Sequence, residues 1–175
     1  MKKNTTLSLS TIQFLPGAGR GITESIDFEE SGELHRDAVG EGFVITIPGA
    51  DKMTITYTCS GDWAAPAIMH VPLLSELDVI LIDPWQVPFE AGQTSVTLPR
   101  AAWSDEDMTV FLDDKTTIAT SQWTWASPRV VTLFGQSKAG FVEFRPKIRA
   151  FLIQKPKDRG EWSGKVAWTI GLTEK

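Results

Sequence analysis

Apolar and polar residues alternate with a period of two along most of this chain, the pattern of half-buried β-strands. Leu7, Leu9 and Thr11 alternate with serines, Phe43, Ile45 and Ile47 with Val44 and Thr46, and Met53, Ile55 and Tyr57 with threonines. Val96 and Leu98 flank Thr97, and Val110 and Leu112 flank Phe111. The longest runs lie near the C-terminus. Val142, Phe144, Pro146, Ile148, Ala150 and Leu152 share one face, with Glu143, Arg145, Lys147 and Arg149 on the other. Trp162, Gly164, Val166, Trp168, Ile170 and Leu172 then alternate with Ser163, Lys165, Ala167, Thr169 and Gly171. The polar segment 155–160 between these runs predicts a long antiparallel C-terminal hairpin. Pro146 has no N–H to donate, so its strand is expected at a sheet edge or with a bulge there.

Helical periodicity is scarce. Ser104 followed by three acids predicts one N-capped turn, and Leu73–Leu77 suggests a second. Eighteen threonines and frequent Gly and Pro turn signals point to an all-β fold. The architecture expected is an antiparallel β-sandwich, with a small β-barrel as the alternative. At 175 residues the chain suits a single β domain over 1–175, in which residues 1–35 read as an N-terminal arm or extra strands.

Composition adds exclusions. Hydrophobic residues make up 42% and charged residues 22%, which is ordinary globular usage and argues against disorder. The lone cysteine, Cys59, has no intramolecular disulfide partner and reads as a buried thiol. His35 and His70 are the only histidines, too few for a three-His zinc site, and no metal or cofactor is expected. Apolar stretches fall far short of the ~20 residues that span a bilayer, so no membrane partner is expected. Met1-Lys2-Lys3 resembles the start of a secretory signal, but the alternation over 4–10 leaves no apolar core for one. The expectation is a product made in a cytoplasm without a signal peptide. The glycine-rich segment 15–21 lacks the third glycine of a dinucleotide fingerprint and the Gly-Lys-Ser/Thr end of a P-loop. It reads as a turn leading into a strand over Ile22–Phe28.

Charge changes the picture more. Seventeen basic against 22 acidic residues give a net charge of −5, which argues against a nucleic-acid partner. The average conceals a division. Residues 1–128 hold seven basic and eighteen acidic groups, whereas residues 129–175 hold ten basic and four acidic ones. The basic end coincides with the predicted hairpin. Arg145, Lys147, Arg149, Lys155, Lys157 and Arg159 are therefore the candidate assembly contacts.

Catalytic chemistry finds no motif. Asp105, Glu106, Asp107, Asp113 and Asp114 are the acids a hydrolase would draw on, but neighbours on a strand point to opposite faces and nothing pairs them. They read as solvated turns, no catalytic residue is assigned, and the chain is expected not to be an enzyme. Seven tryptophans are many for this length. Trp162 and Trp168 fit the core, while Trp63, Trp85, Trp123 and Trp125 are candidates for an aromatic interface or a ligand platform.

Two stretches carry a family resemblance. Asp51–Asp62, Ala65-Pro66 and the strand Leu77–Ile82 form the first. The second is Phe141–Ile148, an aromatic-Arg-Pro strand, followed by Glu161–Glu174, an acidic-Trp-small-small strand ending in alternating apolar residues. Over roughly Arg36 to Glu174 the chain resembles a small β-rich structural protein of long-tailed bacteriophages, although Val71–Glu76 stands where that family has a Trp-Pro-Gly turn. The resemblance implies a virion location among tail and baseplate proteins, and it brings no catalytic residues. The expected partners are other copies of the chain, in a closed trimer or hexamer, and neighbouring tail proteins. The alternatives are a carbohydrate-binding, receptor-recognition module and a capsid decoration protein.

Overall fold

A computed structural model of the chain describes residues 8–10, 12, 21–29, 32–36, 39–46, 52–62, 68, 70–155 and 166–175. All regular structure among them is antiparallel β, apart from a single 3-10 turn at Thr120–Gln122. In chain order the strands are β1 (Ser8–Leu9), β2 (Ile22–Phe28), β3 (Gly32–Arg36), β4 (Gly42–Thr46) and β5 (Met53–Asp62). There follow β6 (Glu76–Ile80), β7 (Trp85–Phe89), β8 (Ser95–Thr97), β9 (Ala101–Ala102) and β10 (Thr109–Leu112). The last are β11 (Trp123–Ser127), β12 (Val130–Leu133), β13 (Gly140–Phe144), β14 (Pro146–Gln154) and β15 (Val166–Glu174). The fold is an antiparallel β-sandwich, and no sheet among the described residues closes into a barrel.

The chain divides into two compact units, each discontinuous in sequence: residues 1–10 with 78–148, and residues 11–77 with 149–175. No linker separates them, because two of the three crossings fall inside strands, β6 and β14.

The first unit is itself a small sandwich. One sheet has the order β10-β13-β7 and the other β11-β12-β8. Their inward residues make one core: Phe89, Val96, Val110, Trp123, Val131, Leu133, Val142 and Phe144, joined by Leu98 and Met108 from connecting segments. Each such side chain contributes about 1.5–3 kcal/mol when removed from water, which is the main term holding the two sheets together. The Ser104 turn forms as expected. Asp107 N–H donates to Ser104 Oγ at 3.4 Å, and Met108 N–H to the Asp105 carbonyl at 3.1 Å.

The second unit is built on the strand order β14-β15-β5-β2. Its buried face carries Met53, Ile55, Tyr57 and Cys59 from β5, Ala150 and Leu152 from β14, and Trp168, Ile170 and Leu172 from β15. Its other face is a Ser/Thr surface in which Thr173 lies opposite Thr54, and Thr54 opposite Asp27. The next rung places Thr56 opposite Ser25. Hydroxyl-bearing β-branched residues suit such a pleated, half-wet surface. β2 has the bounds read from the sequence, and Gly21, with φ +79, supplies the left-handed residue before it. The long C-terminal pair is also present: Ala150 faces Glu174 and Leu152 faces Leu172, with a bulge between Leu152 and Gln154. The other helical turn suggested, Leu73–Leu77, is confined to a turn at Leu73-Leu74, and β6 begins at Glu76.

Strict alternation fails at the junction of β13 and β14. Phe144, Arg145 and Pro146 are all buried in succession. The strand stops at Phe144 and a new one starts at Pro146, so the missing proline N–H falls at a strand's first residue, where it breaks no ladder. β13 pairs with β10 and β7, whereas the start of β14 pairs with β9. This corner keeps the even-numbered positions buried and turns Arg145 inward as well.

Candidate functional site

Arg145 was expected on the outer face, among the assembly contacts, yet it is 7% exposed. Its Nε donates to the Leu81 carbonyl at 2.9 Å, and Nη1 lies 3.7 Å from Asp107 Oδ2. Leu81 is held from both sides, since its N–H donates to the Pro146 carbonyl at 3.0 Å. The guanidinium is therefore a brace of the corner between β13 and β14, not a surface contact.

The other basic candidates differ among themselves. Lys147 is half-exposed, pairs with Asp78 at 3.0 Å and sits 5.8 Å from the centre of the Trp103 ring. Arg149 projects from β14 into solvent and Lys155 is half-buried. Lys157 and Arg159 lie outside the described residues, as does Trp63.

The aromatic candidates sort by burial. Trp123 is 6% exposed and belongs to the core of the first unit, so it cannot offer an open platform. Trp85 and Trp125 are half-buried and pack against that core. Trp103, not singled out by its strand pattern, is 44% exposed, and Trp168 is buried as expected.

A groove of about 600 Å³ opens in the first unit, inside the size range of small-molecule sites. Trp123 and Trp125 of β11 line it, together with Asp105 and Glu106 of the turn before β10, and Thr117 and Thr120. The acids and the tryptophans were both visible in the sequence as separate clusters. Their convergence was not, because it depends on how β10 and β11 are placed by their partners β13 and β12. The remaining acids are dispersed. Asp107 engages Arg145, and Asp113 lies at a second depression of about 520 Å³ near Glu143, whose carboxylate accepts from Gln86 Nε2 at 3.0 Å. Among the described residues no three His, Cys, Asp or Glu side chains are grouped to hold a metal ion. Cys59 is buried on the inner face of β5.

Among the described residues Asp114 has a marked electrostatic environment. Hydrogen bonds from Thr116, through its side chain first and its N–H at 3.0 Å, together with Lys138 at 3.0 Å, lower its pKa to about 2. A carboxylate whose pKa falls on folding stabilises the fold above its unfolded value, and that contribution is lost as pH drops toward the folded one. The loss therefore runs from about pH 4 down to about pH 2. Carbon-detected NMR titration is expected to give Asp114 a midpoint near 2, and Thr116→Val is expected to move it toward the ordinary aspartate value of 3.8. A wild-type midpoint already near 3.8 would contradict this arrangement.

No helix among the described residues is long and apolar enough to cross a membrane. No protein-family model matches this sequence and no curated protein is similar to it, so its function is read from the chain's own residues.

Proposed function

We propose that the chain is a non-enzymatic structural subunit of a bacteriophage virion, seated in the tail tip or baseplate and assembled through contacts with its own copies and with neighbouring proteins. The observation that carries this reading is the second unit's sheet, which ends in the acidic strand β2 and carries a basic residue further in. Among the described residues β2 pairs with β5 and is the last strand of its sheet, the position at which a further strand can add. That edge bears the exposed acids Asp27 and Glu29 and the 60% exposed Phe28. Beyond β5 and β15, β14 presents the exposed Arg149 from within the sheet, its other side being hydrogen-bonded to Leu74 and Ser75. An acidic edge on one copy and a basic patch on the sheet of the next make a head-to-tail contact, which closes into a ring when the rotation permits. The resemblance of Phe141–Ile148 and Glu161–Glu174 to tail proteins supports the same reading.

The test is a charge swap followed by light scattering at low salt. Wild type is expected to run as a single closed oligomer, a trimer or hexamer. Asp27→Lys and Arg149→Glu should each dissociate it, and both substitutions in one chain should restore it. A wild type that stays monomeric at high concentration, alone and with tail proteins, would refute the proposal. Labelled particles in electron micrographs separate a tail site from a capsid-surface one.

A further inference from the structure

The groove of the first unit includes neither β2 nor Arg149, and its chemistry differs from theirs. Two features stand out. Trp123, 94% buried by its 6% exposure, and the half-buried Trp125 both have an indole Nε1 with no hydrogen-bond partner among the described residues. Folded proteins rarely leave buried donors unmet, and two in one groove point to an acceptor brought from outside. The opposite rim has the converse supply. Asp105 and Glu106 are exposed, and their carboxylates only accept hydrogen bonds. Thr117, Thr120 and Thr124 add exposed hydroxyls that do either.

We infer that this groove binds an uncharged oligosaccharide, whose ring oxygens and hydroxyls accept from the Trp123 and Trp125 indoles while its hydroxyls donate to Asp105 and Glu106. A sugar is the ligand class that carries acceptors, donors and an apolar ring face within one small volume, and Trp125 supplies an indole against which that face can pack. Acidic polymers are disfavoured, because two carboxylates at the rim repel them and no basic residue lines the groove. The two indole nitrogens are shielded from water, so a ligand reaches them by displacing the exposed rim of Glu106, Thr120 and Thr124. Binding is accordingly expected to be weak and selective for shape.

The experiment uses the full chain labelled with nitrogen-15, whose tryptophan indole N–H signals report directly on new hydrogen bonds. Maltohexaose, cellohexaose and N-acetylchitohexaose are titrated to millimolar concentration, with polygalacturonate as the acidic control. At least one neutral sugar is expected to shift the Trp123 and Trp125 indole signals saturably, and polygalacturonate to leave them in place. Trp125→Ala and Glu106→Gln should each weaken binding by about tenfold, the scale of a lost aromatic or charged contact. Trp125→Phe keeps a ring face without the N–H and should fall between. Glu106 is exposed, so its variant folds normally and remains decisive if Trp125→Ala does not. The inference is overturned by unmoved indole signals with all three neutral sugars, by equal shifts with polygalacturonate, or by undiminished binding in Glu106→Gln and Trp125→Phe. Assembly state is read from the same samples by light scattering, so failure here leaves the oligomer proposal standing on its own result.

Discussion

Arg145→Ala is expected to lower the unfolding free energy by about 3–5 kcal/mol, the usual consequence of removing one partner from a buried charge pair. Its side chain is 8% exposed and that of Asp107 is 14% exposed, so neither charge is well hydrated. Without the guanidinium, Asp107 keeps a nearly buried carboxylate with no counter-ion, and the carbonyl of the fully buried Leu81 loses its side-chain donor. Lysine is a poor substitute, because its single ammonium lacks the planar fork that reaches both acceptors. Arg145→Met combined with Asp107→Leu should recover much of the loss, since a well-packed apolar pair can match a buried ionic one. Urea unfolding of the three variants separates these terms. A midpoint for Arg145→Ala within experimental error of wild type would mean that Arg145 lies at the surface, as strict alternation predicts.

Gly140→Ala is expected to be nearly as damaging, at about 3 kcal/mol, for a steric reason. A β-carbon at this position would collide with the Phe111 carbonyl oxygen and lie 2.7 Å from Phe89 Cζ and 2.9 Å from Leu112 Cα. Two of these are main-chain atoms of β10, whose Leu112 is the direct partner of Gly140. They cannot rotate aside, so β10 and β13 must separate and the core residues Val110 and Val142, paired across them, must move apart. Gly171→Ala is the control. None of its β-carbon's nearest contacts would be a backbone atom: Gln154 Oε1 at 3.3 Å and Ile153 Cγ1 at 3.4 Å can rotate aside, and only Gln154 Cβ at 2.9 Å requires a small shift of an exposed residue at the bulge. Denaturant midpoints should therefore fall much further for position 140 than for position 171. Equal losses would mean that the close approach of β10 to Gly140 is not the controlling contact.

These two residues also mark how far the sequence could be read. Alternation identified the inward faces of β5, β14 and β15 correctly. Met53, Ile55 and Tyr57 are all fully buried, as are Ala150, Leu152, Ile170 and Leu172. Periodicity is a local signal, however, and it carries no information on where a strand is interrupted. The count through Val142, Phe144, Pro146 and Ile148 stays in phase across the corner, which hides the break at which Arg145 turns inward. Gly140 gave no sign of its role, since its constraint comes from Phe111 and Leu112, nearly thirty residues earlier. The groove was half legible. Both its tryptophans and its acids stood out by residue type, but strand pairing, a long-range property, decides that they share a surface. Division into two units was not legible at all. A boundary inside β6 or β14 carries none of the Gly, Pro or polar composition by which linkers are known.

The placement of β15 between β14 and β5 has a consequence for biosynthesis. A strand at residues 166–174 leaves the ribosome after every other strand, yet it forms the middle of its sheet and not a border. Until it emerges, β5 and β14 each present an unpaired edge rich in apolar residues, the kind of surface that nascent chains lose to aggregation. A ribosome stalled before Val166 would thus release a polypeptide with an open slot of one strand's width. A synthetic peptide matching Val166–Glu174 has the register to fill that slot in trans.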